Sequence, residues 1–411
     1  MTTNKIEKTL LLGCILLCLM GCRTSQAPEV KPAPITKLSG DSELAGLIES
    51  IRVKEGLIAL ASGIIYNGRI HSIAAVGTRK SGTDNWVTVK DKFLIGSCTK
   101  AFTATLVAML IEEGLIDWQT TLREVFPDIK MLSEYEKITL YQLLSHRAGL
   151  PKNLREGQST WTINYGFDPE RGNTPEAYRL QYLEKTVQQK MSYPPGERVH
   201  YSNGGYILAG AIIEKKTGQS LDELWKERIF DPLVISSAGY GPAAALDPHN
   251  QPWGHYWNKS TDSFAAYKAD YPNFMSPAGY MHISIEDWAK FILVHLDAYP
   301  LNEKKLLKPD SLKKLHEPMD SPKWDIDINF GLNYALGWFT KINEDGHRLI
   351  WHGGRGFAFN AQVVVDLNNK CAILLVSTSE SPHMHPQTHL LKISEKIRKY
   401  YSGKMELPSI F

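Results

Sequence analysis

An excess of either charge is missing from this 411-residue chain: 46 lysines and arginines face 44 aspartates and glutamates, a formal net charge of +2. So even a balance removes the basic footprint of a nucleic-acid-binding protein. Cysteine is scarce, five in all, and beyond residue 40 only Cys98 and Cys371 remain. Two isolated cysteines make neither a disulfide framework nor a zinc ligand set, and a single bridge between them is left open. After the N-terminus no apolar run approaches the ~18 residues that span a bilayer, which excludes a polytopic membrane protein. Internal repeats and low-complexity tracts are absent. So are a Gly-x-x-x-x-Gly-Lys-Ser/Thr loop and a dinucleotide fingerprint behind a strand, and no cofactor is implied. What is present is an ordinary globular composition, 43% hydrophobic and 22% charged. A chain this long buries about three quarters of its unfolded surface without a metal or disulfide staple.

The N-terminus reads as an address. Lys5 and Lys8 precede an apolar run from Leu10 to Met20, too short for a comfortable membrane span. The run ends Leu19-Met20-Gly21-Cys22, which resembles a bacterial lipoprotein lipobox. That resemblance implies removal of residues 1–21, acylation of Cys22, and a membrane attachment in the cell envelope through the lipid. An ordinary signal peptide or an uncleaved anchor would carry the same apolar run. Residues 22–40, with Pro28, Pro32 and Pro34, read as a tether. The folded domain is then expected over residues 41–400, with 401–411 as a tail.

Within that domain, Leu44–Val53 has helical periodicity. Leu57–Tyr66 and Arg69–Val76 are β-rich runs joined by Asn67-Gly68, a strong hairpin signal. A helix follows from about Cys98 to Glu113, with Gly114 placed to cap it. Between residues 120 and 300 the pattern turns mostly helical, at 139–146, 175–190, 204–216, 220–230 and 285–296. Strands return at Ala335–Lys341, His347–Trp351, Phe359–Asp366 and Cys371–Ser377, and a helix closes the chain near 388–400. This order predicts an α+β fold: one antiparallel sheet assembled from both chain ends and flanked by helices, with an inserted mainly helical lobe at about 120–300. The cleft between the two is the default site.

The segment Phe93-Leu94-Ile95-Gly96-Ser97-Cys98-Thr99-Lys100 opens a helix that is apolar on nearly every face and therefore buried. Ser97 and Lys100 stand three residues apart on one side of it. A lysine entering a buried element loses its proton more readily, and a depressed amine beside a serine is what an activated nucleophile needs. An N-cap serine with a snorkelling lysine would have the same spacing. Ser311 and Lys314 repeat it on a charged, exposed face. Further along, Pro194-Pro195-Gly196-Glu197-Arg198-Val199-His200-Tyr201-Ser202-Asn203-Gly204-Gly205 sets Tyr201 and Asn203 in a Pro/Gly-framed loop ahead of an apolar helix. Trp351-His352-Gly353-Gly354-Arg355-Gly356 follows one strand and precedes another, with glycines that allow close backbone approach.

Together these segments resemble the serine β-lactamase and penicillin-binding-protein superfamily, in its class C β-lactamase, DD-peptidase and esterase branch. The likeness extends over about residues 41–400 and includes Leu143-Leu144-Ser145-His146-Arg147-Ala148-Gly149-Leu150 and the Pro277-Ala278-Gly279-Tyr280 turn. It implies that Ser97 is the acylated nucleophile, Lys100 its proton partner and Tyr201 a proton relay. Asn203 would orient substrate and Lys100, His352 would take the third-motif position beside Gly354, and the N–H groups of Ser97 and Arg355 would form the oxyanion hole. The implied activity is that of a serine hydrolase on peptides, other amides or esters. A β-lactamase, or a slowly deacylating penicillin-binding sensor or scaffold, is the alternative. An α/β-hydrolase is disfavoured, since no Gly-x-Ser-x-Gly elbow exists.

One departure matters. Class C β-lactamases place Lys-Thr-Gly where this chain has His352-Gly353-Gly354, and a neutral histidine weakens the charge that attracts a substrate carboxylate. Arg355 is the nearby residue that could restore it. A literal Lys216-Thr217-Gly218 ends a helix and is expected to be a decoy. His383, His385 and His389 lack a carboxylate or cysteine to complete a metal set, so no metal is expected. Trp253, His255, Tyr256, Trp257, Phe264, Tyr267 and Tyr271 read as a long aromatic loop, either a substrate rim or ordinary packing.

Overall fold

A computed structural model describes residues 38–151, 167–267, 273–299, 305–318, 323–324, 333–380 and 386–409. Eight strands form the main sheet: β1 (Ser39–Gly40), β2 (Ala59–Tyr66), β3 (Arg69–Gly77), β4 (Asn333–Tyr334), β5 (Phe339–Ile342), β6 (Arg348–Gly356), β7 (Phe359–Asp366) and β8 (Cys371–Ser377). Their spatial order is β1-β3-β2-β8-β7-β6-β5-β4, antiparallel throughout. The two chain ends meet at β2 and β8, where Ala61 stands opposite Val376. The expected sheet from both termini is therefore present. Asn67 and Gly68 have φ of 50° and 69°, the two positive angles that a tight β2–β3 hairpin requires.

Both faces of this sheet are covered, so its central strands are buried along their length, with Ser62 of β2 and Asn360 and Gln362 of β7 as buried polar positions. Alternation sorts them: Leu60 and Ile64 of β2, with Ile373 and Leu375 of β8, face one side, while Ala59, Ala61, Ile65, Leu374 and Val376 face the other. Helices α1 (Ser42–Glu55) and α5 (Pro386–Tyr401) cover the first side through Leu44, Ile48, Leu390, Ile393 and Ile397. Asp41 caps α1 by accepting the Leu44 N–H at 2.9 Å, and Gly56 ends it at φ 66°.

The second side carries α2 (Thr99–Glu112) and α4 (Ile285–His295), and α3 (Asn203–Thr217) packs against α2 from the inserted lobe. From Thr99 to Leu110 every residue of α2 is buried. Burial of each large apolar side chain there contributes about 1.5–3 kcal/mol. Phe102 of α2 stacks on Phe291 of α4 with ring centres 3.6 Å apart. The lobe contributes the short helices Leu122–Val125 and Leu140–Leu144, each begun by a capping box, and the helix Pro175–Thr186. Helix α4, which the sequence places at the end of that lobe, lies against β2 and β3.

Three details depart from expectation. The run Ala335–Lys341 is broken by a bend around Gly337 (φ 80°), leaving β4 and β5 on either side. Strand β6 continues to Gly356, so His352-Gly353-Gly354-Arg355 lies inside a strand rather than between two. The aromatic segment is a β-hairpin, Gly254–Asn258 with Ser263–Tyr267, Trp257 facing Phe264, not a loop. Cys98 and Cys371 are both buried and free, which closes the question of a bridge between them.

Candidate active site

Ser97 sits in a 3-10 turn, Gly96–Cys98, that leads directly into α2. Within Phe93–Leu110 it is one position that keeps partial solvent access; its neighbours are buried. Lys100, one turn on, is fully buried. Its Nζ lies 3.0 Å from Ser97 Oγ, 2.8 Å from Asn203 Oδ1 and 2.5 Å from the Ala278 carbonyl oxygen. No described carboxylate pairs with it. Burial alone therefore holds this amine well below its ordinary value. Three chain segments converge on one nitrogen.

Each segment is held in place locally. Asn203 is the first residue of α3, and Gly205 brings that helix against the carbonyl of Leu143. The Pro277–Tyr280 turn is tied to α2 by Thr103, whose hydroxyl donates to Pro277 O at 2.7 Å, and by the Met281 N–H, which donates to Thr99 Oγ1 at 3.2 Å. Tyr201 lies over Lys100, Nζ 4.9 Å from the ring centre, with its phenol near the Ser97 side chain. Burial pushes its phenol up, and the Ser97 contact only partly opposes this. Tyr201 therefore keeps its proton at neutral pH.

Strand β6 closes the other side of Ser97. Gly354 and Gly96 face each other so closely that a Cβ on Gly354 would collide with the Ile95 carbonyl oxygen and stand 2.9 Å from Ser97 N. A Cβ on Gly96 (φ 51°) would meet the Arg355 backbone nitrogen. The N–H groups of Ser97 and Arg355 are thus brought together by the absence of two side chains, as an oxyanion hole needs.

His352 is buried beside this cluster, its ring 6.4 Å from that of Tyr201. Nδ1 bonds the Gly353 carbonyl at 2.7 Å and Nε2 the Tyr334 hydroxyl at 3.2 Å. Burial first, and the nearby Lys100 second, push the imidazole down to about 3, so it is neutral. Arg355 does not supply the missing cation. Alternation along β6 turns its side chain to the face opposite Gly354, where the guanidinium pairs with Glu380 at 2.5 Å. The Glu380 carboxylate thus already balances the charge that Arg355 was expected to supply.

Other expected sites fall elsewhere. Lys216 is exposed at the end of α3, capped by Gly218 at φ 71°, far along the helix from Asn203. Lys314 is exposed and lies over the Tyr141 ring, with no part in the cluster. Cys22, His383, His385 and Tyr271 lie outside the described residues. His389 pairs with Glu55, Nε2 to Oε2 at 3.0 Å. Among the described residues no group of three histidines, cysteines or carboxylates is arranged around a metal position. Sequence reasoning missed the roles of Tyr206 and Tyr334 as aromatic neighbours of this cluster, and the Ala278 carbonyl as a lysine acceptor. Backbone acceptors leave no trace in residue type.

A buried lysine on a serine, a phenol above both, and two nearby backbone nitrogens are the parts that a serine hydrolase needs. A family model described as Beta-lactamase matches residues 44–395, and the chain belongs to that family, whose members are serine hydrolases. It is 25% identical over 375 residues to "Protein flp" of Staphylococcus aureus (strain N315), covering 89% of this chain and 69% of that one. Among solved structures it is similar to the octameric penicillin-binding protein homologue from Pyrococcus abyssi, with a TM-score of 0.69, 23% identity, and coverage of 90% and 79%. It is also similar to the D-amino acid amidase from Ochrobactrum anthropi SV3, with a TM-score of 0.66, 21% identity, and coverage of 87% and 99%. The α+β fold is that of these proteins.

Proposed function

We propose that this chain hydrolyses amide or ester bonds through a covalent acyl-enzyme on Ser97. The observation that carries the reading is the partner set of Lys100 Nζ. Asn203 Oδ1 and the Ala278 carbonyl can only accept. With the amine neutral, these two acceptors would take its two protons and leave its lone pair for the Ser97 hydroxyl, 3.0 Å away.

The steps follow from that arrangement. Ser97 Oγ attacks the substrate carbonyl carbon and gives its proton to Lys100 Nζ. The oxyanion is stabilised by the Ser97 and Arg355 N–H groups, and removing one such donor costs about 10²–10³-fold in rate. Tyr201, which keeps its proton, delivers it to the leaving nitrogen or oxygen and regains one from Lys100. Water then attacks the acyl ester and passes its proton back by the same route, restoring Ser97.

The substrate is an uncharged amide or ester, of the D-amino-acid amide, aminopeptidase or esterase type, rather than one presenting a carboxylate. His352 is neutral and engaged at both nitrogens, and Arg355 is paired on the other face of β6. The amidase among the structural neighbours supports an amide substrate. A fluorophosphonate should label the wild-type chain at Ser97, and Ser97→Ala should abolish both labelling and turnover of p-nitrophenyl esters. A label on Ser202 would overturn the assignment. A stoichiometric p-nitrophenol burst without steady-state turnover would instead identify a slowly deacylating sensor.

A further inference from the structure

His146 takes no part in the reaction just described, yet it grips the Tyr201 loop at three points. Its backbone carbonyl accepts the His200 N–H at 2.8 Å, and its Nδ1 accepts the Ser202 N–H at 3.2 Å. Its ring lies 4.2 Å from the Tyr201 ring, centre to centre. The residues on both sides of Tyr201 are thus tied to one histidine, and the phenol lies against it. The following residues extend the grip, since the Arg147 carbonyl accepts the Gly196 N–H at 2.8 Å and the Gly149 carbonyl the Ser192 N–H at 3.0 Å.

Two features of His146 work against stability. Its backbone is left-handed, φ 58°, a conformation that strains a non-glycine residue. Because Nδ1 accepts an N–H, the neutral ring carries its proton on Nε2, and that group is buried with no hydrogen-bond partner among the described residues. A residue unfavourable on both counts is held in contact with the proton-transfer group. The groups around its ring are Lys100, His200, His352, Tyr201, Tyr206 and Tyr334, none of them a carboxylate. Nothing there stabilises a protonated ring, which would lose the Nδ1 acceptor.

We propose that His146 is a positioning residue: by accepting the N–H groups that flank Tyr201, it sets the phenol between Lys100 and Ser97 for proton transfer. This rests on the acyl-enzyme reading above, and the test separates the two. In the full chain, His146→Leu keeps bulk without an acceptor, while His146→Asn keeps an acceptor at the Nδ1 position and suits a left-handed backbone. Active serines are counted by fluorophosphonate titration, and kcat is expressed per titrated serine on a p-nitrophenyl ester, so that loss of folded protein does not enter. His146→Leu should lose about 10²-fold in kcat, the cost of misplacing a reacting group by about 1 Å, with KM within about threefold. His146→Asn should recover at least tenfold of that loss. The proposal is overturned if the leucine variant stays within threefold of wild type. It is equally overturned if the asparagine variant, folded and fully titrating, falls 10²-fold below wild type, a result that needs no folded leucine variant. Wild-type turnover with no titratable Ser97 would overturn the acyl-enzyme reading itself, and this proposal with it.

Discussion

Lys100 Nζ and Ser97 Oγ lie 3.0 Å apart, one helical turn from each other, with the lysine wholly buried and no described carboxylate to keep it charged. A charged ammonium in such a place would cost several kcal/mol. The neutral amine costs far less and can accept a proton. On the proposed mechanism the helix thus stores a base by burying it, and the apolar faces of α2 serve chemistry as well as packing.

Gly354 tests the backbone geometry. A methyl group there would strike the Ile95 carbonyl and press on Ser97 N. Gly354→Ala should lower kcat/KM about 10²–10³-fold by displacing an oxyanion donor. Gly46→Ala is the contrast, since its Cβ would meet nothing within 4 Å on the exposed face of α1. It should leave kinetics unchanged and raise stability by about 0.5–1 kcal/mol, read from urea midpoints.

The two third-motif candidates separate cleanly. His352→Ala removes the partner of the Tyr334 hydroxyl and packing beside Tyr201, and should slow acylation about 10²-fold or more. Lys216→Ala, at an exposed helix end, should stay within about 0.5 kcal/mol in stability and unchanged in rate. The measurement is kcat/KM on one ester and one carboxylate-bearing amide, with melting temperature alongside. A crippled Lys216→Ala and a healthy His352→Ala would invert the placement.

Buried histidines make the fold acid-labile. His146, His255, His282, His295, His316 and His352 are all pushed down by burial, His255 and His282 to about 4 and His316 and His352 to about 3. Their folded values lie below the unfolded value near 6.5, so the unfolded chain binds more protons and stability falls as pH drops below about 6.5. Asp222, raised to about 6, opposes this, because it holds a proton in the folded state that the unfolded chain releases. Three net protons taken up on unfolding would already give about 4 kcal/mol per pH unit. Urea unfolding between pH 5 and pH 8 checks the sign. A flat or inverted profile would contradict the buried neutral imidazoles.

The lipobox reading of Leu19–Cys22 makes a separate prediction. Expressed with its own N-terminus, the protein should partition with membranes, and Cys22→Ser should release it or leave it uncleaved. Identical soluble behaviour of both forms would refute the anchor.

Much of the fold was legible because its periodicities are local. Phe359–Asp366 and Cys371–Ser377 fall on the expected residues, as apolar runs long enough for a strand and too short for a helix. The Asn67-Gly68 turn follows from the two positive φ angles those residues tolerate. The hairpin at Gly254–Tyr267 was hidden because its outward face is as aromatic as its inward one, which erases the alternation. In the site, Ser97, Lys100, Tyr201 and Asn203 could be named because hydroxyl, amine, phenol and amide are chemistry visible in residue type. The Ala278 carbonyl and the His146 clamp could not, since any residue carries a carbonyl and a left-handed histidine has no local signature.

Sequence alone determined that a buried helix would begin with a serine and a lysine on one side, because helical spacing and apolar composition are properties of neighbours along the chain. It also determined that Lys216 would sit at a helix end, because Gly218 stops the helix there. Only the tertiary structure decided the protonation and charge of the site. Whether Lys100 is neutral depends on the packing that buries it, and where its protons point depends on acceptors 103 and 178 residues away. Whether Arg355 faces the substrate depends on which side of a strand the pleat turns it, and the strand had to extend through His352 for that parity to apply. Such facts belong to distances through space, and those exist only once both ends of the chain have paired at β2 and β8.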